Sequence, residues 1–186
     1  MAKIRLIVVV TKASEDCYMQ RGVQLRKGLF TIFSSLIGLV LSTIVVFPNM
    51  APFQHMVDVI LAILVGPVYA TAAAIIVGLI RMLLEGRPAV AVTSILVGPL
   101  LAWLAYRIFN RSTLAAAFGE TLGVGLFGAM ISFVVMQVGY GLKLPSFWFY
   151  VPYFTPSALV GSLLGAFVVK ALRQLTMIKK SDFLDK

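Results

Sequence analysis

The sequence predicts an all-α membrane protein, a bundle of six transmembrane helices, from its hydropathy, its charge distribution and its short connections. Apolar residues make up 60% of the 186 residues, and the mean hydropathy is +0.99, a composition outside the range of soluble domains. Apart from Glu120, five long stretches contain no Asp, Glu, Lys or Arg: 28–54, 59–80, 88–106, 112–142 and 144–169. Such runs match the roughly 20 apolar residues that a helix needs to cross a hydrocarbon core.

The charge-free stretches and the Gly and Pro residues between them place the six helices in order. The first follows a basic cluster that ends at Lys27, and the second lies between Pro52 and the Gly66-Pro67 turn. The third begins at that turn, and the remaining three fill the other apolar stretches. We expect helices near residues 28–46, 55–65, 67–84, 90–109, 115–139 and 151–176.

The second helix is too short to span the membrane. The interval between Pro52 and Gly66 contains about 14 residues, or roughly 21 Å of helix at 1.5 Å per residue. The preceding segment, 47–54, is therefore expected to dip into the bundle from outside, where surrounding protein can satisfy its backbone. The alternative is an interfacial loop followed by a tilted helix.

Lys and Arg are distributed asymmetrically across the predicted topology. With both termini inside, 13 of the 16 basic residues are cytoplasmic, and only Arg81, Arg87 and Lys143 lie toward the outside. This agrees with the positive-inside rule. The sequence thus predicts a multi-pass protein of the cell membrane with a cytoplasmic N-terminal tail, 1–27, a six-helix domain, 28–176, and a cytoplasmic C-terminal tail, 177–186.

Several kinds of chemistry lack the residues they need. The single cysteine, Cys17, excludes an internal disulfide, and the single histidine, His55, leaves little basis for a metal site. The chain has no GxxxxGK[ST] phosphate-binding loop. We therefore expect neither a metal nor a cofactor, and any uphill transport must draw its energy from a partner.

Polar residues cluster where the predicted helices meet the outer surface. Gln54, His55 and Asp58 open helix 2, and intramembrane ionisable groups usually mark a site or an internal pair. Asp58 and Arg81 either contact a ligand or pair with each other to join helices 2 and 3, and His55 is either a ligand donor or an interfacial side chain. The cluster is completed by Arg81 and Glu85 at the end of helix 3 and by Thr93 and Ser94 at the start of helix 4.

An aromatic segment, 147–154, occupies the other outer connection. Interfacial aromatic belts account for much of this composition, yet a Pro-flanked aromatic loop is also suited to stacking a flat heterocycle. We predict a binding role for Trp148, Tyr150 and Tyr153, with Gln137 as a weaker candidate.

Glu120 is expected elsewhere, near the cytoplasmic start of helix 5. Arg107 and Arg111 lie in the preceding loop. A structural pair or a coupling contact there is favoured over substrate binding.

Small residues recur at four-residue spacing on several helices. Such faces let helices approach closely in lipid. Most are expected to serve internal packing, whereas the stripe of Ser34, Gly38 and Ser42 on helix 1 is the predicted docking surface for a partner subunit. The other stripes are Ala70, Ala74 and Gly78, then Gly119 and Gly123, and finally Gly161 and Gly165.

Taken together, these motifs resemble those of the ThiW-type substrate-binding (S) components of energy-coupling factor transporters. The resemblance runs from about residue 28 to 173. Its most specific part is the outer loop with helix 2, Val46-Phe-Pro-Asn-Met-Ala-Pro-Phe-Gln-His-Met-Val-Asp58. The other parts are the Gly66-Pro67 turn, Gly78-Leu-Ile-Arg81, Gly119-Glu120 with three following glycines, Phe149-Tyr-Val-Pro152, and Ser157 to Gly165.

This resemblance implies a six-helix component that captures a vitamin or precursor from outside and works with a transmembrane scaffold and two cytoplasmic ATPases. It also implies a thiamine-pathway ligand, with hydroxyethylthiazole as the family's presumed substrate. The sequence departs from the family pattern at Asp58, where Asn is expected, and at Ser34 and Gly38, which replace an alanine pair.

The sequence therefore predicts the substrate-capture subunit of an importer and not an enzyme. Two alternatives come from other classes. One is an intramembrane enzyme that uses His55 and Asp58, and the other is a membrane assembly factor without a small-molecule ligand.

Overall fold

A computed structural model describes residues 2–44, 51–84 and 88–175, with side chains from Met19 onward. Helices account for nearly all of this part of the chain, which contains no strand. Five helical segments are long and apolar enough to cross a membrane, namely Met19–Ile44, Pro67–Leu84, Val90–Ile108, Thr113–Gly139 and Val151–Gln174. With a shorter apolar helix at Pro52–Leu64, they confirm the predicted polytopic bundle with a short second helix.

The described ranges contain eight α-helices, because two of the spanning segments are divided into more than one helical piece. The π-helical turns Gly123–Gly128 and Val135–Gly139 flank α7. The helices are α1 (Ala2–Ile44), α2 (Pro52–Leu64), α3 (Pro67–Leu84), α4 (Val90–Thr93), α5 (Gly98–Ile108), α6 (Thr113–Leu122), α7 (Ala129–Val134) and α8 (Val151–Gln174).

The short helix α2 lies at the centre of the bundle. It contacts α1, α3, α5, α6 and α8, and all of its residues except Phe53 and Met56 are buried. A helix that is apolar on nearly every side must be surrounded by protein. Because α2 has only 13 residues, about 20 Å at 1.5 Å per residue, its first turn lies below the end of the bundle and leaves room for a cavity there.

Helix α1 begins earlier than expected. The predicted start at residue 28 is wrong, since α1 is continuous from Ala2 to Ile44. Arg21, Arg26 and Lys27, which belong to the predicted N-terminal tail, therefore lie on this helix. The predicted C-terminal tail, 177–186, lies outside the described residues.

The fourth span is broken, where a single helix over 90–109 was expected. Helix α4 ends at Thr93 and α5 begins at Gly98. Pro99 explains the break, because proline lacks the N–H for an i−4 hydrogen bond and its ring clashes with the preceding turn. The broken segment also lies close to the fifth span: a Cβ on Gly128 would lie 2.0 Å from the carbonyl oxygen of Ser94.

Three of the small-residue faces serve close helix contacts, as predicted. Cβ atoms on Gly78, Gly119 and Gly161 would lie 2.7 Å or less from a backbone oxygen of a neighbouring segment. Backbones approach this closely only where the side chain is absent.

The predicted docking stripe on α1 needs a correction at its middle residue. Gly38 is buried, and a Cβ there would lie 2.8 Å from Cγ2 of Val57 on α2. This position therefore packs α1 onto α2 within the chain and is not free to dock another subunit. Ser34 and Ser42 are half-buried, and their docking role stays a prediction.

Candidate functional site

A cavity of about 350 Å³ opens at the end of the bundle where α2 begins. This volume is within the range of small-molecule sites. Its wall is formed by α2, α3, α4 with its flanking residues, the first π-helical turn and the start of α8. The lining residues are Ala51, Gln54, His55, Arg81, Pro88, Val90, Ala91, Ser94, Ile95, Val124, Phe149, Tyr150, Tyr153, Phe154 and Ser157.

One side of the cavity carries a polar corner made of Gln54, His55 and Arg81. All three are buried, with 5 to 6% of each residue exposed. Arg81 Nη1 donates a hydrogen bond to Gln54 Oε1 over 2.9 Å. The first turn of α2 thus holds an amide and an imidazole beside a guanidinium from α3, and these groups can orient a polar ligand.

The opposite side is an aromatic wall formed by Phe149, Tyr150, Tyr153 and Phe154. The rings of Tyr150 and Phe154 are stacked, with centroids 5.3 Å apart and an interplanar angle of 19°. Phe149 contacts Tyr150 edge-on at 5.1 Å and Tyr153 at 5.5 Å. Burial raises the pKa of Tyr150, so its hydroxyl remains a hydrogen-bond donor. Flat apolar faces with polar tips suit an aromatic heterocycle.

A hydrogen bond ties the two sides of the cavity together. The backbone N–H of Ala51, which precedes α2, donates to Ser157 Oγ of α8 over 2.8 Å. Ala51 has no side chain able to cap α2. The hydroxyl of Ser157 accepts a hydrogen bond from the backbone N–H of Ala51, a group at the helix start that has no partner within the helix.

Behind the polar corner lies a cluster of three buried ionisable residues: His55, Asp58 and Glu120. His55 Nδ1 lies 3.3 Å from Glu120 Oε1 and 4.0 Å from Asp58 Oδ2. Glu120 is fully buried and Asp58 is 2% exposed, and neither lines the cavity. One oxygen of each carboxyl, Glu120 Oε2 and Asp58 Oδ2, has no hydrogen-bond partner within the part of the chain that the structure describes.

The position of Glu120 corrects the sequence-based interpretation. Glu120 was expected near Arg107 and Arg111, on the side away from the cavity, but it lies against His55 in the centre of the bundle. Arg107 instead lies over the ring of Trp103. The expected helix start at residue 115 is close to the observed start of α6 at Thr113, after the cap residue Ser112. Glu120 is nevertheless two turns inside α6, and the packing of α6 against α2 brings it to His55.

The same three residues are of the types that bind metal ions. The possible ligand atoms of His55, Asp58 and Glu120 all lie within 4.8 Å of one another, so the chain brings together an imidazole and two carboxyls, which the sequence did not suggest. The 3.3 Å contact between Nδ1 and Oε1 is also a hydrogen bond, which joins these two groups without an ion.

The predicted site residues divide between the cavity wall and other places. Gln54, His55, Arg81, Tyr150 and Tyr153 line the cavity. Asp58 lies behind the wall, with Oδ2 4.0 Å from His55 Nδ1.

Three other predicted residues lie outside the cavity wall. Thr93 Oγ1 is hydrogen-bonded to Ser132 Oγ at 2.7 Å. Gln137 is exposed. Trp148 is 53% exposed and contacts Phe147 edge-on. The first part of the predicted dipping loop, residues 47–50, and Glu85 lie outside the described residues.

Several lining residues were missed by the site prediction. Phe149 and Phe154 lie within the aromatic segment, so their presence beside Tyr150 and Tyr153 could have been inferred. Ile95 and Val124 are ordinary apolar residues in their segments, and only the break between α4 and α5 brings Ile95 to the wall.

Comparison with known proteins adds a family assignment to this geometry. Residues 29–175 match the family model ThiW, described as a thiamine-precursor transporter protein. No curated protein and no solved structure gives a significant match.

Proposed function

Because this chain belongs to the ThiW family of thiamine-precursor transporters, we propose that its cavity captures the thiazole precursor of thiamine, hydroxyethylthiazole. The observation that carries the proposal is the pairing of an aromatic wall with a polar corner in one cavity of about 350 Å³. A thiazole ring fits between the aromatic faces, and its ring nitrogen and hydroxyl are suited to the polar corner.

We propose that the cavity opens to the outside of the cell. The C-terminal ends of α5 and α8 lie at the opposite end of the bundle, where Arg173 Nη2 donates to Tyr106 Oη over 2.6 Å. Arg107, Arg111 and Lys170 belong to the same end, and an excess of basic residues is typical of the cytoplasmic side. This supports a cytoplasmic position for that end and an external position for the cavity.

We further propose that transport requires a transmembrane scaffold and two cytoplasmic ATPases of the energy-coupling factor type. The sequence contains no phosphate-binding loop, so ATP hydrolysis must come from a partner. The face of α1 away from α2 is exposed and apolar at Ile32, Leu36 and Ile37, and Ser34 and Ser42 lie on the same helix. These residues are candidates for the scaffold contact.

The isolated chain in detergent should bind hydroxyethylthiazole without nucleotide. Isothermal titration calorimetry with hydroxyethylthiazole, thiamine and hydroxymethylpyrimidine tests this, and we expect the thiazole to bind most tightly. Absence of binding across the set would contradict the proposal and favour the assembly-factor alternative. If mass spectrometry showed that the bound compound is chemically converted, the enzyme alternative would be favoured.

Two aromatic residues of the outer segment should differ in their effect on binding. Tyr153 lines the cavity, whereas Trp148 does not. Tyr153→Ala should weaken thiazole binding roughly two- to twelve-fold, since an aromatic contact contributes about 0.5–1.5 kcal/mol beyond its buried area. Trp148→Ala is the matched control and should change the dissociation constant less than two-fold. A larger effect at Trp148 would place the ligand outside the described cavity.

A further inference from the structure

His55 connects the cavity to a buried carboxyl group. Its Nδ1 faces Glu120 Oε1 at 3.3 Å, and the residue also forms part of the cavity wall. Since Nδ1 is engaged by Glu120, Nε2 is the ring nitrogen that remains for a ligand.

The position of Glu120 is defined by its surroundings. A Cβ on Gly98 would lie 2.7 Å and 2.8 Å from the two carboxyl oxygens, so the start of α5 admits this carboxyl only because residue 98 is glycine. Glu120 is 0% exposed and makes its hydrogen bond to His55 from a fixed place. The orientation of the imidazole ring is therefore set from behind the wall.

The net charge of the buried His55–Glu120 pair determines whether the ring nitrogen on the cavity side, Nε2, carries a proton. A net charge on the pair is costly at this burial, and a negative pair would also place a second carboxylate charge near Asp58, whose ligand atom lies within 4.8 Å. Arg81, on the cavity side, opposes an excess positive charge. A neutral pair holds two protons, one of them in the Nδ1–Oε1 hydrogen bond. The other proton belongs either on Nε2 or on Glu120 Oε2. Because Oε2 has no hydrogen-bond partner among the described residues, whereas Nε2 lies on the cavity side, where a ligand can accept a hydrogen bond, we assign this proton to Nε2.

We propose that His55 presents Nε2–H to the cavity as a hydrogen-bond donor, with Glu120 as its positioning residue. The ligand accepts this hydrogen bond with the lone pair of an aromatic ring nitrogen. This rests on the proposed function, because it assigns the contact made by the thiazole. A neutral thiazole has such a lone pair, whereas the N-alkylated thiazolium ring of thiamine does not. The donor therefore selects the free precursor over the finished vitamin.

The proton on Nε2 can be observed directly, because His55 is the only histidine in the chain. The full-length protein, labelled with ¹⁵N-histidine and purified through a histidine-free tag, gives one pair of ring-nitrogen signals. We expect a protonated Nε2 at neutral pH without ligand. An unprotonated, pyridine-type signal at Nε2 would overturn the proposal.

The ligand contact is tested by pairing two compounds with two forms of the protein. The probes are hydroxyethylthiazole and its thiophene analogue, in which C–H replaces the ring nitrogen at nearly the same shape. For the parent chain, the thiophene should bind roughly 5- to 150-fold more weakly, because it leaves the Nε2–H donor buried without an acceptor. His55→Phe should bind both compounds with similar affinity.

Variants of Glu120 separate positioning from folding. Glu120→Leu removes the partner of Nδ1 and should reduce the discrimination between the two compounds, whereas Glu120→Gln, whose amide can donate to Nδ1, should restore it. Equal affinity of the parent chain for both compounds would overturn the proposal while leaving the proposed function intact. If the parent chain bound neither compound, the proposed function would fail, and the ¹⁵N spectrum would still decide where the proton lies.

Discussion

Replacing Gly161 by alanine should strongly destabilise the bundle. A Cβ at this position of α8 would lie 2.0 Å from the carbonyl oxygen of Pro52 and 2.9 Å from Cβ of His55. Both neighbours belong to α2, whose backbone cannot yield without moving the polar corner. Overpacking of this kind costs about 3 kcal/mol, which corresponds to a fall in melting temperature of roughly 6–12 °C for a chain of this size.

Thermal unfolding of the detergent-solubilised protein measures this effect, and the chain offers a matched control. At Gly139, no atom of residues 2–44, 51–84 or 88–175 is found within 4 Å of an added Cβ, so Gly139→Ala should leave the melting temperature nearly unchanged. Equal melting temperatures for Gly161→Ala and the parent chain would show that α8 does not pack on α2 as described.

Arg81→Met should cause the largest loss of ligand affinity among the polar residues of the cavity. Arg81 is 6% exposed, and its guanidinium donates to Gln54 Oε1, while Gln54 Nε2 has no hydrogen-bond partner among the described residues. Removing the donor leaves the whole amide buried and unsatisfied, and hydrogen bonds to charged groups contribute about 1.5–3 kcal/mol. Because the side chains of the polar corner are then no longer held in place for the ligand, we expect a 10- to 150-fold increase in the dissociation constant.

Calorimetric titration with hydroxyethylthiazole checks this expectation. Arg107→Met is the control, since Arg107 lies over Trp103 at the other end of the bundle and should not affect binding. Arg81→Lys, which keeps the charge and one donor, should be intermediate. If Arg107→Met weakened binding as strongly as Arg81→Met, the ligand would have to lie at the opposite end.

Much of the fold followed from the sequence because hydropathy alone determines which segments enter the membrane. The six helical segments were predicted, and the short α2 was recognised from the distance between Pro52 and Gly66. Breaks within a span are harder to predict, because the hydropathy of 90–108 is continuous across the interruption before Pro99. The two π-helical turns on either side of α7 have no hydropathy signal at all.

The lining of the cavity was predicted in part for a similar reason. Gln54, His55 and Arg81 were recognised because polar residues are rare in such a sequence and therefore conspicuous. Glu120 was equally conspicuous but was expected beside Arg107 and Arg111, whereas it lies two turns inside α6, about 11 Å along the axis from the start of that helix. Its contact with His55 depends on how α6 packs against α2, which no local pattern encodes.

The hydrogen bond that joins the residue before α2 to α8 also bears on the order in which the parts of the protein form during synthesis. Ala51 and Ser157, which are hydrogen-bonded to each other, are 106 residues apart in the chain. During synthesis from the N-terminus, α2 enters the membrane region long before α8 exists, with its first turn uncovered. The cavity is therefore among the last features to form, and a ribosome stalled before residue 149 leaves a chain that can insert most of its helices but lacks the aromatic wall of the cavity.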